Sequence, residues 1–118
     1  MEYSEETFGS VKVFHLGGKI MGCAKTQALC DRLKEVINAG TPSLVMDFRN
    51  VHWINSAGVG AILACLNKLR QHGGDLRFAN LQGMTQHYFH ISKLETVVGI
   101  FESVEKAVAS FLPQADHP

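Results

Sequence analysis

Apolar and polar positions follow one another in blocks along this chain, and their period changes from block to block. Thr7-Phe8 and Val11-Lys12-Val13-Phe14 flank Gly9-Ser10. That dipeptide can form a two-residue turn between β-branched and aromatic residues, so the stretch predicts a hairpin. Gly17-Gly18 marks the expected end of its second strand. Over 24–39 the period becomes helical. Leu29, Leu33, Val36 and Ile37 fall on one face at i, i+4, i+7 and i+8, and Gly40 follows as a stop. SLVMDF (43–48) is a nearly continuous apolar run, too short for a helix and suited to a buried central strand. A second helical stripe, Val59, Ile62, Leu63, Leu66 and Leu69, runs over 56–72 and ends at Gly73-Gly74. Residues 76–79 predict another strand, 84–91 a shorter helix with Met84, Tyr88 and Ile91 inward, and 97–100 a last short strand. Val104, Ala107, Val108 and Phe111 mark a closing amphipathic helix, with Ser103 as its N-cap.

The order is therefore a hairpin followed by α, β, α, β, α, β, α. Alternating strands and helices imply a largely parallel sheet with right-handed crossovers, and the hairpin makes that sheet mixed. The expected fold is α/β: one domain over 1–112, a mixed, mostly parallel β-sheet packed with about four helices, and a frayed tail at 113–118. Neither an internal repeat nor a linker divides the chain. A chain of 118 residues can bury a core without disulfides or metals.

Composition narrows the function classes. Lys plus Arg equals Asp plus Glu, 11 of each, which gives no electrostatic reason to bind nucleic acid or an anionic membrane. No apolar run approaches the ~18 residues of a membrane span. The opening MEYSEETF is acidic and lacks the build of a signal peptide, so a cytoplasmic location is expected. Cys23, Cys30 and Cys65 are an odd number without CxxC spacing. They read as reduced, small apolar residues rather than a disulfide or zinc framework.

Candidate chemistry concentrates in WINSAGVGA (53–61). With a strand ending near Phe48 and a helix starting near Ser56, residues 49–55 would form a loop at the carboxyl end of a strand, where open α/β sheets bind ligands. Ser56 would then be an N-cap or first-turn residue facing free backbone N–H groups. Two readings stand side by side. Ser56 could simply cap the helix, or it could accept a phosphate, since an anion at a helix N-terminus is favoured by about 0.3–1 kcal/mol. A phosphate would still add about −1.5 to −2 charge to the surface. Ala57, Gly58 and Gly60 would leave the backbone open to a partner. Val51 and Trp53 are either core beneath this loop or an apolar partner contact. His87 and His90 could share a helix face, but without a neighbouring carboxylate or thiolate they read as ordinary histidines rather than metal ligands. Gly58-x-Gly60 lacks the third glycine and the lysine of a phosphate-binding loop, and Ser56 has no legible His and Asp partners. Metal, cofactor and catalytic residues are accordingly not expected.

The longer segment SLVMDFRNVHWINSAGVGAILACLNKLRQHGGDLRFANL resembles the core of the STAS domain family, in particular the small bacterial anti-sigma factor antagonists. The resemblance rests on Asp47-Phe48 at a strand end, on Val51, Trp53 and Ile54, on Ser56 after them, and on Gly73-Gly74, Leu76 and Asn80-Leu81 downstream. It implies a STAS fold over nearly the whole chain and a serine switch at Ser56. The implied partners are an anti-sigma factor that is also a serine kinase, which supplies ATP and magnesium, and a metal-dependent serine phosphatase. The unphosphorylated form would bind the anti-sigma factor and free a sigma factor, acting as a monomer or weak dimer. Three positions depart from the family pattern. Asn55 replaces an Asp, Ala57 a second Ser, and Met21 an acidic residue of the preceding loop. Asn55, Ser56, Ala57, Gly58, Gly60 and Met21 are thus the expected partner surface. A STAS module that senses a ligand or scaffolds a larger complex without phosphorylation is the alternative, and an enzyme with Ser56 as nucleophile a third reading.

Overall fold

A computed structural model describes residues 1–111. Its strands are β1 (Glu2–Phe8), β2 (Val11–Ile20), β3 (Ser43–Ile54), β4 (Asp75–Ala79) and β5 (Gly99–Phe101). Its helices are α1 (Ala24–Asn38), α2 (Ser56–Gln71), α3 (Gly83–Ile91) and α4 (Val104–Ala109), with a short 3₁₀ turn at Leu94–Thr96. The strands lie in chain order in one sheet, with β1 antiparallel to β2 and all later neighbours parallel. The α/β class, the hairpin at Gly9-Ser10 and the mixed sheet are as expected from the sequence. The proposed tail at 113–118 and the boundary at 112 lie outside the described residues.

Chain-order stacking has a packing consequence. When each crossover steps one strand in the same direction and keeps the same hand, all crossover helices land on one face. Accordingly Leu29 and Leu33 of α1, Ile62 and Leu66 of α2 and Phe89 of α3 share one core with Phe14, Phe48 and Phe78. Among the described residues the other face is covered by α4 alone, whose Val104, Ala107 and Val108 pack on Val11, Val13 and Val45. Ser103 Oγ caps this helix by accepting from the Lys106 N–H at 3.2 Å, as its sequence position suggested.

Several local expectations give way. Strand β3 does not stop near Phe48 but runs on to Ile54, so 49–55 is not a loop. Its first half lies between β2 and β4 with both faces covered, which explains the apolar run. Pairing with β4 ends at Asp47, and beyond it β3 pairs only with β2. There Val51 and Ile54 are buried and His52 exposed, a spacing that breaks strict alternation where the register against β2 slips between Gly18 and Lys19, and charged Arg49 disguised the continuation. Gly17-Gly18 does not end β2 either. The β2–β3 register slips on both sides of the pair, and Gly18 adopts φ +84°, so the glycines let β2 follow an irregular partner. The last strand sits slightly later than expected, because Leu94–Thr96 turns before it. In α3 the inward face is Thr85 and Phe89, while Met84 and Ile91 are 47% and 56% exposed and Tyr88 half-buried. The aromatic contact decides this rotation: the Phe89 ring meets Phe48 edge-on and Phe78 tilted, with centroids 5.4 and 5.2 Å apart. Finally, Cys30 and Cys65 are not independent thiols. They are joined as a disulfide between α1 and α2, with Cα atoms 5.7 Å apart. Both sit on the inner flanks of two neighbouring helices, a proximity that spacing along the chain does not reveal.

Candidate functional site

Strands β2 and β3 run parallel and end together, Ile20 opposite Ile54. Each hands over to a helix almost at once, so the N-termini of α1 and α2 emerge side by side. Asn55 is the N-cap of α2, with extended backbone at φ −110° and ψ 177°. Its Oδ1 accepts from the Gly58 N–H at 2.7 Å, and its carbonyl accepts from the Val59 N–H at 3.0 Å. The capping role considered for Ser56 therefore belongs to Asn55. Ser56 is the first helical residue, and it is exposed. An amide oxygen caps as well as a carboxylate does, so Asn at 55 preserves the turn without a charge.

Gly58 works in the opposite sense to the one its sequence suggested. It is buried, and a Cβ there would collide with the Ile20 carbonyl oxygen and lie 3.1 Å from Ile54 Cγ1. It lets α2 sit directly on the end of β2 rather than opening a surface. Gly60, two residues further along α2, is exposed with nothing within 4 Å of a Cβ and does leave open backbone. Gly22 makes a similar close approach on the neighbouring element, where a Cβ would lie 2.9 Å from the Ala57 carbonyl oxygen. The Thr26 hydroxyl donates to the Met21 carbonyl at 2.5 Å and ties the β2–α1 turn to α1. Met21 is 42% exposed beside this contact. The structure thus gathers Met21, Asn55, Ser56 and Ala57 on one edge, with Gly60 above them and Gly58 beneath. Trp53 is half-buried and Val51 buried, both within β3.

The surroundings of Ser56 carry little negative charge. Among the described residues, neither α1 nor α2 has an acidic residue in its first turn. Cys23, the exposed N-cap residue of α1, has its thiol held below the ordinary range by the backbone N–H groups of Thr26 and Lys25. Between the two helices lies a groove of about 310 Å³ lined by Gly22, Cys23, Cys30, Ala57, Ala61 and Cys65, among others.

A second polar cluster, missed in the sequence, occupies the α4 face. Asp47 is 6% exposed, at the end of the apolar run. Its carboxylate accepts from Asn80 Nδ2 at 2.8 Å and the Arg49 N–H at 3.0 Å, and pairs with His15 Nδ1 at 2.7 Å. His15 Nε2 reaches Glu6 at 2.8 Å. Burial works against both charges, but hydrogen bonds from Asn80 and His15 hold Asp47 below the carboxylate range. Those to Asp47 and Glu6 hold His15 above the imidazole range. The available signal was a lone Asp among apolar residues, which needs a partner when buried. Asn80, at φ +61°, is turned so that its amide reaches that partner. No group of three or more His, Cys, Asp or Glu among the described residues is placed to hold a metal ion. His90 instead pairs with Glu95 at 3.0 Å. Among the described residues, no helix is long and apolar enough to cross a membrane.

Comparison with known proteins gives this geometry a context. The model of the STAS domain family matches residues 3–107. BtrV of Bordetella bronchiseptica, a protein named as an anti-sigma factor antagonist, is 27% identical over 92 residues, 78% of this chain and 79% of BtrV. The fold is shared with the phosphorylated form of SpoIIAA, a Bacillus cell fate determinant, at TM-score 0.71 and 18% identity, covering 94% of this chain and all of that one (100%). It is also shared with an anti-sigma factor antagonist from Mycobacterium paratuberculosis, at TM-score 0.76 and 22% identity, covering 92% of each chain.

Proposed function

The chain belongs to the STAS domain family, and on that premise we propose that it is an anti-sigma factor antagonist switched by phosphorylation of Ser56. The observation that carries this reading is the division of labour at the start of α2. Asn55 makes the cap, which leaves the Ser56 hydroxyl exposed at the first helical position and free of a structural duty. The name of BtrV supports the antagonist role, and the phosphorylated form of SpoIIAA supports a phosphorylated state on this fold.

The chemistry asked of this chain is small. A partner kinase would transfer the γ-phosphoryl group of ATP to Ser56 Oγ. The new O–P bond replaces the bond to ADP, and the hydroxyl proton leaves to a base of the kinase. The product adds about −1.5 to −2 charge at a helix N-terminus, where the dipole and the open N–H groups favour an anion. The fold therefore tolerates the modification while the partner surface turns from neutral to negative. Without phosphate, Met21, Ala57 and Gly60 form a neutral surface for the anti-sigma factor, which releases its sigma factor. A metal-dependent phosphatase would restore this form by hydrolysis. The setting is the cytoplasm, where sigma factors act, and the chain contributes an acceptor rather than catalytic groups.

Incubation with a cognate anti-sigma serine kinase and ATP should add one phosphate by intact mass, and Ser56→Ala should abolish it. Phosphate uptake unchanged in Ser56→Ala would overturn the assignment. Ser56→Asp should weaken binding to the anti-sigma factor, and an unaltered dissociation constant would contradict the charge mechanism.

A further inference from the structure

The three cysteines of this chain, Cys23, Cys30 and Cys65, all line one groove. The disulfide between Cys30 and Cys65 ties α1 to α2, the two helices whose N-termini make the Ser56 surface. Its sulfur-bearing residues are 6% and 5% exposed. Ala57, Ala61 and Ala64, with their short side chains, line the same groove. In a reducing compartment a disulfide does not persist as a passive staple. Those found there form and break as part of catalysis or sensing. The contact from Gly22 to Ala57 lies in the same groove, so a change in the spacing of the helices is felt beside Ser56.

We propose that Cys30 and Cys65 form a thiol–disulfide switch that sets how firmly the start of α1 is held against α2, and so regulates docking at the Ser56 surface. The regulatory half of this inference rests on the Ser56 reading. The reductant is a dithiol. One of its thiolates attacks a sulfur of the pair, the S–S bond breaks, and a mixed disulfide forms. Its second thiol then releases the protein. Two electrons and two protons pass to Cys30 and Cys65, and the reductant leaves as a disulfide. Two thiols cannot stay at bonding distance, so the sulfurs separate and the covalent tie between α1 and α2 is lost.

Oxidised wild type and Cys30→Ala/Cys65→Ala each expose a single thiol, Cys23, which makes them directly comparable. Protein purified without reductant should take up one iodoacetamide label when denatured, and three after dithiothreitol. With the cysteines 35 positions apart in the chain, the melting temperature should fall by about 10 °C on reduction and in the double variant. Residues 20–27 and 55–61 should lose hydrogen-exchange protection, and native Cys23 should change its alkylation rate. Three labels without reductant would overturn the proposal. So would identical exchange in those segments in the oxidised protein, in the dithiothreitol-reduced wild type and in the double variant. These readouts use the chain alone, so they are independent of kinase assays at Ser56. A final arm compares phosphate uptake by oxidised and reduced protein. Equal rates would reject the regulatory role while leaving the Ser56 assignment intact, whereas no uptake in either form would reject that assignment, and the regulatory half with it.

Discussion

Alanine at Gly58 and at Gly60, introduced separately, sets helix propensity against packing. The two glycines are close together in α2. Propensity alone gives both substitutions the same sign, a gain of up to about 1 kcal/mol each. Their surroundings give them opposite signs. At 58 the new Cβ collides with the Ile20 carbonyl oxygen and comes within 3.0 Å of its carbonyl carbon. That obstacle is backbone within the sheet and cannot rotate away. Relief requires the first turn of α2 to lift, which strains the 2.7 Å bond from the Gly58 N–H to Asn55. Overpacking of this kind costs about 1–3 kcal/mol, and a weakened cap adds up to about 1 kcal/mol. After the propensity gain is subtracted, Gly58→Ala should destabilise the domain by about 1–3 kcal/mol. At 60 nothing lies within 4 Å of the added atom. Gly60→Ala should stabilise by about 0.5–1 kcal/mol. Equilibrium urea unfolding with linear extrapolation measures both. The two midpoints should move in opposite directions from wild type. A Gly58→Ala variant as stable as wild type would refute the close-approach argument.

At the cap, Asn55→Ala should cost about 1 kcal/mol, while Asn55→Asp keeps the acceptor and should gain about 0.3–1 kcal/mol from the helix dipole; coincident urea midpoints for Asn55→Ala and wild type would show the cap idle. For pH, the folded His15 lies above its ordinary value, so its contribution is full below about pH 6.5 and is lost as pH rises through the folded value. The folded Asp47 lies below its ordinary value, so its contribution holds above about pH 4 and is lost as pH falls through the folded value. Stability of wild type relative to His15→Gln, from urea unfolding at stepped pH, should therefore be greatest between these limits and decline above them; a difference that does not vary with pH would remove the ion pair from the account.

What could be read in the sequence was whatever a single element decides for itself. The stripes of α1 and α2 and the turn at Gly9-Ser10 depend on local period and turn chemistry, and they stand where expected. Ser56 falls at the helix start because the apolar stripe and the small residues mark that boundary unaided. The rest depends on neighbours. Whether 49–54 is strand or loop turns on β2 still being alongside after β4 has ended. Which face of α3 is inward turns on the Phe48 and Phe78 rings that receive Phe89. The cap could not be assigned between Asn55 and Ser56 without the backbone angles. Gly58 and Gly60 look alike in sequence and differ only in what lies beneath them, the Ile20 carbonyl or nothing. The Cys30–Cys65 bond and the His15–Asp47 pair join residues 35 and 32 positions apart, so neither leaves a local pattern to read.

The Asn at 55 bears on how such a switch would work. In the family pattern that this chain resembles, acidic residues flank the acceptor serine, so phosphorylation deepens an existing negative charge. Here Asn55 and Met21 stand at those positions, and the first turns of α1 and α2 are free of carboxylates among the described residues. Phosphate on Ser56 would take this surface from about neutral to about −1.5 to −2. Neighbouring carboxylates would repel a phosphate, by about 1 kcal/mol per unit charge at 4 Å even in water, and their absence leaves the helix N-terminus to stabilise the added charge unopposed. The cap survives because it needs an oxygen acceptor rather than a negative one. Removing the charge at 55 therefore need not disable the switch: it separates the two jobs that an Asp would combine, holding the turn and charging the surface, and leaves the second to the phosphate alone.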